Sequence, residues 1–340
     1  MIIVMKENST TENLAEVVTA AKKQGFIPQI NEGKQITIGL INVPQNFPED
    51  FFNNLAGVKL AQHVNLTYKL TSRIFHPQDT IIQIKDVTIG GGTFTTMAGP
   101  CSVESYDQIM ATAETVKKAG GQILRGGAYK PRTSPYAFQG LEEEGLELLK
   151  QAADAFDLLV VTEVMDQEHL DVVGQYTDIF QIGARNMQNF SLLKAVGKLN
   201  RPTVLKRGMA ATIDEWLNAA EYLTTSGNQQ VMFMERGIRT FETQTRNTLD
   251  VAAIPLMKKL THFPVLIDPA HGTGRFDLVA PMAMAGMACG SDGLMVEVHP
   301  NPAEALSDGP QSLNFKHFND MMQQLDYLKN ALAKGDANGN

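Results

Sequence analysis

The sequence predicts an α/β chain in which a (β/α)8 barrel of the TIM type follows a small βαββαβ domain. Two observations carry this. From residue 94 onward, short apolar runs alternate with helix-like segments, at 94–98, 122–125, 158–162, 179–182, 202–205, 231–234, 264–267 and 293–296. Eight such repeats in about 245 residues match the barrel architecture. Ahead of them, residues 1–68 follow a different order of strands and helices. An open doubly wound sheet is the alternative, but no Gly-x-Gly-x-x-Gly follows the first strand to support it.

Ile2–Met5 reads as a short buried strand. Ser9, Thr10 or Thr11 caps a helix whose apolar positions Leu14, Val17, Val18 and Ala21 keep helical spacing, and Gly25 ends it. Residues 26–30 and 35–41 read as a hairpin around Glu32-Gly33-Lys34, 48–55 as a second helix and 58–64 as a fourth strand. That order is the split ferredoxin-like pattern, and it holds no catalytic cluster. Residues 69–93 are a connector containing His76-Pro77 and then a hairpin, in which 80–84 and 87–89 alternate around Lys85-Asp86 before Gly90-Gly91-Gly92. The barrel occupies 94–335. Within it, Thr212-Ile213-Asp214-Glu215 is a capping box, followed by Trp216, Ala219, Ala220 and Leu223 at helical spacing.

A chain of 340 residues, 43% hydrophobic, can bury one large core and one small one. Its net charge of −8, without a long basic run, argues against non-specific nucleic-acid binding. No stretch approaches the ~18 apolar residues of a membrane span. The opening Met1-Ile2-Ile3-Val4-Met5-Lys6 lacks the apolar region and cleavage site of a signal peptide. Two cysteines give no disulfide framework, so a reducing, cytoplasmic compartment is expected.

In a barrel the active site lies at the C-terminal ends of the strands. There the sequence places Cys101; Arg125 with Lys130 and Arg132; Glu163; Arg185; Lys206 with Arg207; Glu235 with Arg236; Asp268 with His271; and Glu297 with His299. Every strand delivers a polar or ionisable group to one rim. Part of that rim is cationic, through Arg125, Lys130, Arg132, Arg185, Lys206, Arg207 and Arg236. Arginine forks match phosphate and carboxylate, and lysine adds a point charge. The plainer alternative is that some of these arginines only pair with Glu142, Glu143, Glu163 or Glu235.

The rest of the rim offers Cys101, His271, Glu297 and Asp308, a thiolate, an imidazole and two carboxylates. That mixture suits Mn²⁺, Fe²⁺, Co²⁺ or Zn²⁺. The four lie far apart in the chain, and only the barrel brings them together. A lone cysteine is more often an inert buried thiol, which is the better reading for Cys289 beside the Met-Ala stripe of residues 282–288. His271 could merely cap the turn before Gly272-Thr273-Gly274, and His299 before Pro300 is equally open to a structural role.

Ala98-Gly99-Pro100-Cys101-Ser102-Val103-Glu104-Ser105 resembles the metal-cysteine motif of 3-deoxy-D-arabino-heptulosonate 7-phosphate (DAHP) synthases. Leu124-Arg125-Gly126-Gly127-Ala128-Tyr129-Lys130-Pro131-Arg132-Thr133-Ser134-Pro135 is similar to their substrate loop. The likeness continues through Gln181-Ile182-Gly183-Ala184-Arg185-Asn186, Leu205-Lys206-Arg207-Gly208 and Glu235-Arg236-Gly237-Ile238-Arg239. It ends with Asp268-Pro269-Ala270-His271-Gly272-Thr273-Gly274-Arg275, Glu297-Val298-His299-Pro300 and Ala305-Leu306-Ser307-Asp308-Gly309. It spans nearly the whole chain and fits the microbial subgroup with a ferredoxin-like domain ahead of the barrel.

The resemblance implies that Cys101, His271, Glu297 and Asp308 hold a divalent metal ion. It implies that Arg125, Lys130 and Lys206 face the phosphoenolpyruvate carboxylate, while Arg185, Arg236 and the Ala184 backbone hold its phosphate, with Glu163 nearby through water. Arg132 and Thr133 would bind the phosphate of erythrose 4-phosphate. Lys130, beside both substrates, is the expected proton donor to the new hydroxyl, and Lys130→Met should abolish turnover with metal binding intact. Asp268 or Glu163 would assist the water. Catalytic weight thus falls on Lys130, His271 and Cys101. A homotetramer is also implied.

Two positions depart from the subgroup as the resemblance frames it. Phe276 stands where an arginine is usual, and Gln29-Ile30-Asn31 replaces a His-x-Ser pattern of regulated members. The expectation for residues 1–68 is still a regulatory module, taking an aromatic amino acid or a pathway intermediate as effector. The rivals are a sister synthase acting on a five-carbon sugar phosphate, a non-catalytic sensor, and a metal aldolase using free pyruvate. Lys130-Pro131-Arg132-Thr133, the intact ligand set and the abundant positive charge weigh against them in turn.

Overall fold

The computed structural model describes residues 1–33, 35–63, 66–130, 134 and 136–337. The small domain runs β1 (Ile2–Met5), α1 (Thr11–Lys23), β2 (Ile27–Glu32), β3 (Ile36–Ile41), α2 (Asp50–Asn53) and β4 (Val58–Gln62), with an antiparallel sheet in the order β2-β3-β1-β4. Thr10 caps α1: its hydroxyl accepts from the Asn13 backbone N–H at 3.3 Å while Asn13 Oδ1 accepts from the Thr10 N–H at 3.1 Å. Val17 and Ala21 of α1 then pack on Ile3, Met5, Ile38 and Phe52. The helix expected over residues 48–55 shrinks to one turn. The Asn53 amide is diverted to both backbone groups of Ala61 on β4, at 2.7 and 2.9 Å, and Gly57 at φ 79° turns the chain into that strand.

The open face of this sheet lies on the connector, with Ile2 against Leu70 and Phe75. Gly39 of β3 marks the crossing, because a Cβ there would stand 2.9 Å from both Leu70 and Phe75 side-chain carbons. The connector is tied in turn to the barrel. The Glu221 carboxylate accepts from the Leu70 and Thr71 backbone N–H groups, each at 2.9 Å, and from the Thr71 hydroxyl at 2.8 Å. His262 Nε2 donates to Leu70 O at 2.8 Å, which leaves Nδ1 to accept from the Thr80 hydroxyl at 2.6 Å. Burial keeps this imidazole neutral, its pKa lowered to about 3. The unfolded chain therefore takes up a proton here below about pH 6.5 that the folded chain does not, so stability should fall on acidification by up to about 1.4 kcal/mol per pH unit. Urea midpoints at about pH 7, 6 and 5 should show His262→Phe losing that part of the wild-type slope.

Hairpin β5 (Ile82–Ile84) and β6 (Val87–Ile89) covers one end of the barrel, with Ile82 and Ile89 packed into its interior cluster. The eight barrel strands are β7 (Thr95–Gly99), β8 (Ile123–Arg125), β9 (Leu159–Glu163), β10 (Ile179–Ile182), β11 (Thr203–Lys206), β12 (Val231–Glu235), β13 (Val265–Ile267) and β14 (Gly293–Glu297). They close through β14 against β7, with Glu297 paired to Gly99. All eight expected strands are present, with ends shifted by about one residue.

Around them lie α3 (Tyr106–Lys118), α4 (Glu142–Ala155), α5 (Leu170–Tyr176), α6 (Phe190–Gly197), α7 (Ile213–Thr225), α8 (Ala253–Leu260), α9 (Pro269–Thr273), α10 (Phe276–Ala288) and α11 (Phe315–Ala337). The capping box opening α7 forms as expected. No described helix is long and apolar enough to cross a membrane.

Candidate active site

Side chains alternate across each strand, one set into the barrel and the other outward to the helices. Met97, Ile123, Val161, Ile179, Val204, Met234, Leu266 and Met295 belong to the interior cluster, and Ala98, Leu124, Val160, Phe180, Leu205, Phe233, Ile267 and Val296 to the outer core. Two residues further along the inward set come Gly99, Arg125, Glu163, Gln181, Lys206, Arg236, Asp268 and Glu297. At the C-terminal end the interior thus changes from apolar to charged. A cavity opens there, lined by Lys130, Ala184, Arg185, Arg239, Arg246, Asn247, His271 and Asp308 together with Arg125, Glu163, Gln181, Lys206 and Arg236. Among the described residues seven cations line it, against the two carboxylates of Glu163 and Asp308.

Arg125 Nη1 donates to Pro100 O at 2.8 Å and to Glu297 Oε1 at 3.1 Å. Gly99 makes room for it: a Cβ there would stand 2.0 Å from the Arg125 carbonyl oxygen. Arg125 Nε and Arg236 Nη1 are buried donors with no partner among the described residues. Unsatisfied guanidinium N–H groups at a cavity wall are costly unless an anion takes them up. Lys206 Nζ donates to Asp268 Oδ2 at 2.7 Å. Burial lowers the pKa of Lys206 and Arg236, with Asp268 opposing the shift in both.

Arg207 leaves the cationic rim the sequence assigned it to. It belongs to the outward set and donates to Glu235 Oε2 and Asp250 Oδ2, both at 2.9 Å, with its guanidinium over the Trp216 ring. Glu235 is consumed by the same pair. Glu163 stays at the cavity, where Gln181 Nε2 donates to its Oε2 at 3.3 Å. Arg132 and Thr133 lie outside the described residues.

The candidate metal ligands gather directly against the cations of the cavity, with Glu297 beside Arg125, Cys101 beside Lys130 and Asp308 beside Arg246. One ligand atom each of Cys101, Glu297 and Asp308 lie within 4.8 Å of one another. His271 Nε2 stands 3.4 Å from Glu297 Oε1 and 3.9 Å from Asp308 Oδ2. Its Nδ1 is 2.8 Å from Asp268 Oδ2, within ion-pair reach but out of line for a hydrogen bond. Asp268 also caps α9, its Oδ1 accepting from the His271 N–H at 3.0 Å. His271 is therefore oriented by the cap and is not itself the cap. Asp308 sits at φ 51°, a left-handed backbone that aspartate tolerates better than most residues.

Burial raises the Cys101 thiol, and Glu297 raises it further, against the pull of Lys130. Lys130 Nζ donates to Cys101 O at 2.7 Å and lies 3.1 Å from its Sγ. Burial would raise Asp308 as well, but His271, Arg246 and Lys130 outweigh it and lower its pKa to about 2. A soft sulfur, an imidazole and two carboxylates converging in a buried pocket fit a borderline divalent ion.

His299 has a structural partner: its Nε2 is 3.2 Å from Glu104 Oε2, whose other oxygen accepts from the Leu306 N–H. Phe276 stacks on His317, their ring planes 11° apart. The structure also brings Gln181, Arg246, Asn247 and Gln311 to the site, positions to which the sequence assigns no role.

The chain matches the DAHP synthetase I family over residues 78–334 and the DAHP synthase ferredoxin-like domain over residues 1–65. It is 50% identical to the phospho-2-dehydro-3-deoxyheptonate aldolase of Thermotoga maritima over 333 residues, 98% of each chain. A crystal structure of phospho-2-dehydro-3-deoxyheptonate aldolase (DAHP synthase) from Thermotoga maritima superposes with a TM-score of 0.79 at 49% identity, covering 97% of each chain. The 2-dehydro-3-deoxyphosphooctonate aldolase of Desulfosudis oleivorans is 29% identical, covering 74% of this chain and 96% of that one. With more than half of its length matched, and the barrel and the small domain both accounted for, the chain belongs to the DAHP synthetase I family.

Proposed function

We propose that the chain is a metal-dependent synthase that condenses phosphoenolpyruvate with erythrose 4-phosphate and water, giving DAHP and phosphate. The observation that carries this is the joining, in one cavity, of a cationic wall with unsatisfied guanidinium donors to a thiol–imidazole–dicarboxylate cluster. Two anionic substrates repel one another, and that wall offsets the repulsion while fixing their approach. Arg125, Lys130 and Lys206 take the phosphoenolpyruvate carboxylate, and Arg185, Arg236 and the Ala184 backbone its phosphate. Arg132 and Thr133 take the sugar phosphate.

Cys101, His271, Glu297 and Asp308 would hold Mn²⁺, Fe²⁺, Co²⁺ or Zn²⁺. A divalent ion there supplies Lewis-acid polarisation of the aldehyde. Carbon 3 of phosphoenolpyruvate bonds to the aldehyde carbon, Lys130 gives a proton to the oxygen that becomes hydroxyl, water adds at carbon 2, and phosphate leaves with carbon–oxygen cleavage. Asp268 is taken up by Lys206 and His271, which leaves Glu163, on the cavity wall, to assist the water. The 50% identity to a heptonate aldolase, against 29% to an octonate aldolase, favours the four-carbon acceptor.

The test is phosphate release from phosphoenolpyruvate by chelator-treated protein, with and without Mn²⁺, using erythrose 4-phosphate and arabinose 5-phosphate in parallel. Metal-dependent turnover with the four-carbon sugar is expected. Turnover only with arabinose 5-phosphate would move the assignment to the sister synthase, and silence with both would favour the sensor. Residues 1–68 are proposed as the effector module. Deleting them should abolish any inhibition by aromatic amino acids or pathway intermediates, and unchanged responses would end that reading.

The raised Cys101 thiol fixes a pH dependence. Burial lowers the pKa of His271, so that ring is already neutral at neutral pH, and Cys101 is the group that must lose a proton to bind metal. Log affinity for Mn²⁺ should rise by about one per pH unit from about pH 7 to 9. Competition with a chelator checks the slope, and Cys101→Ser should bind weakly and without it.

A further inference from the structure

We propose that Gln311 is a positioning residue for the metal centre, fixing the separation and orientation of Glu297 and Asp308. The proposal rests on the metal reading given above. Gln311 is 2% exposed and ends the single turn Gly309–Gln311 that follows Asp308. Its Nε2 donates to Glu297 Oε2 at 2.6 Å and to Asp308 Oδ2 at 3.4 Å, while its Oε1 accepts from Arg246 Nη1 at 2.8 Å. A guanidinium only donates and a carboxylate only accepts, so the amide has one chemically sensible orientation, with its NH₂ toward both carboxylates.

Glu297 is thereby held at both oxygens. Gln311 takes Oε2, and Oε1 lies within reach of Arg125 and His271. A buried carboxylate and a half-buried one this close repel each other, and the shared amide is a neutral donor that keeps them together without neutralising either. The backbone holds the segment independently: the Leu313 N–H donates to Glu297 O at 2.8 Å and the His299 N–H to Leu313 O at 2.9 Å. Loss of the amide should therefore leave the loop in place and disturb the ligands alone.

Gln311→Met keeps the side-chain length and removes both the donor and the acceptor. Chelator-treated wild type and variant are titrated with Mn²⁺, with free ion followed by electron paramagnetic resonance. In parallel, the thermal midpoint and the affinity for inorganic phosphate are measured on the metal-free proteins. The expected result is a loss of Mn²⁺ affinity of about 10–100-fold, with both metal-free readouts close to wild type. An unchanged affinity overturns the proposal, and so does a loss matched by an equal loss of metal-free stability, which would make Gln311 a loop tether. If the methionine variant does not fold, Gln311→Asn carries the same test, because the shorter amide cannot span both carboxylates. A wild type that takes up no Mn²⁺ would sink the metal centre itself, whereas equal binding by both proteins would sink only the role of Gln311.

Discussion

Lys130→Met is expected to lower turnover by about 10²–10⁴-fold at saturating metal, the range one positioned general acid supplies. The two side chains are similar in length, so the change removes a proton and a charge with little change of shape. Position makes the effect large. Lys130 lies on the cavity wall between the cationic pocket and Cys101, with Nζ 2.7 Å from Cys101 O. The same contact modifies the expectation drawn from the sequence, in which metal binding stays intact. Lys130, with a smaller pull from Arg125, draws the Cys101 thiol down against burial and Glu297. Without it the thiol rises further, so metal affinity should fall modestly near neutral pH and recover as pH rises. Single-turnover rates at saturating Mn²⁺, set beside Mn²⁺ titrations at two pH values, separate the two effects. Turnover within about tenfold of wild type would remove Lys130 from the proton transfer.

The strand positions were legible because parallel barrel strands are buried on both faces and read as near-continuous apolar runs. The site was legible only to the precision of a strand end. Arg207 and Glu235 sit at such ends, so sequence position alone puts them on the rim, yet each is one residue out of phase with the inward set. The period-2 rule would have excluded both and admitted Gln181, two residues after inward-facing Ile179. That rule is available without a structure once the strands are placed. Gln311 and Arg246 were not legible in that way. Their importance comes from two hydrogen bonds between residues distant in sequence, Arg246 to Gln311 and Gln311 to Glu297, and no local pattern announces these. The second helix of the small domain failed for a related reason, since the Asn53 contact to Ala61 is tertiary and overrides local propensity.

Asp268→Asn is the substitution expected to damage both halves of the site at once. Asp268 is fully buried, with Oδ2 2.7 Å from Lys206 Nζ and 2.8 Å from His271 Nδ1. Burial would raise its pKa, but His271 and Lys206 outweigh that and hold it well below the usual carboxylate range. Asparagine retains the shape and an oxygen to cap α9, so the variant isolates the charge. Lys206 then stays buried near Arg125 and Arg236 with no anion beside it, a situation that costs about 3–5 kcal/mol or drives the amine neutral. Either outcome weakens its grip on a substrate carboxylate. His271 loses the carboxylate behind its Nδ1, and metal affinity should fall by about 10–100-fold.

The pH dependence has a definite sign. A depressed carboxylate pKa stabilises the fold above the unfolded value of about 3.9 and stops doing so as pH falls through the folded value. The stability gap between wild type and Asp268→Asn should therefore be full at neutral pH and narrow in strong acid. Urea unfolding across that range, with phosphoenolpyruvate and Mn²⁺ titrations at neutral pH, tests all three consequences. Loss of metal affinity alone would confine Asp268 to the histidine, and loss of phosphoenolpyruvate affinity alone would confine it to the lysine. Loss of both would make this one carboxylate the physical joint between the anion pocket and the metal centre.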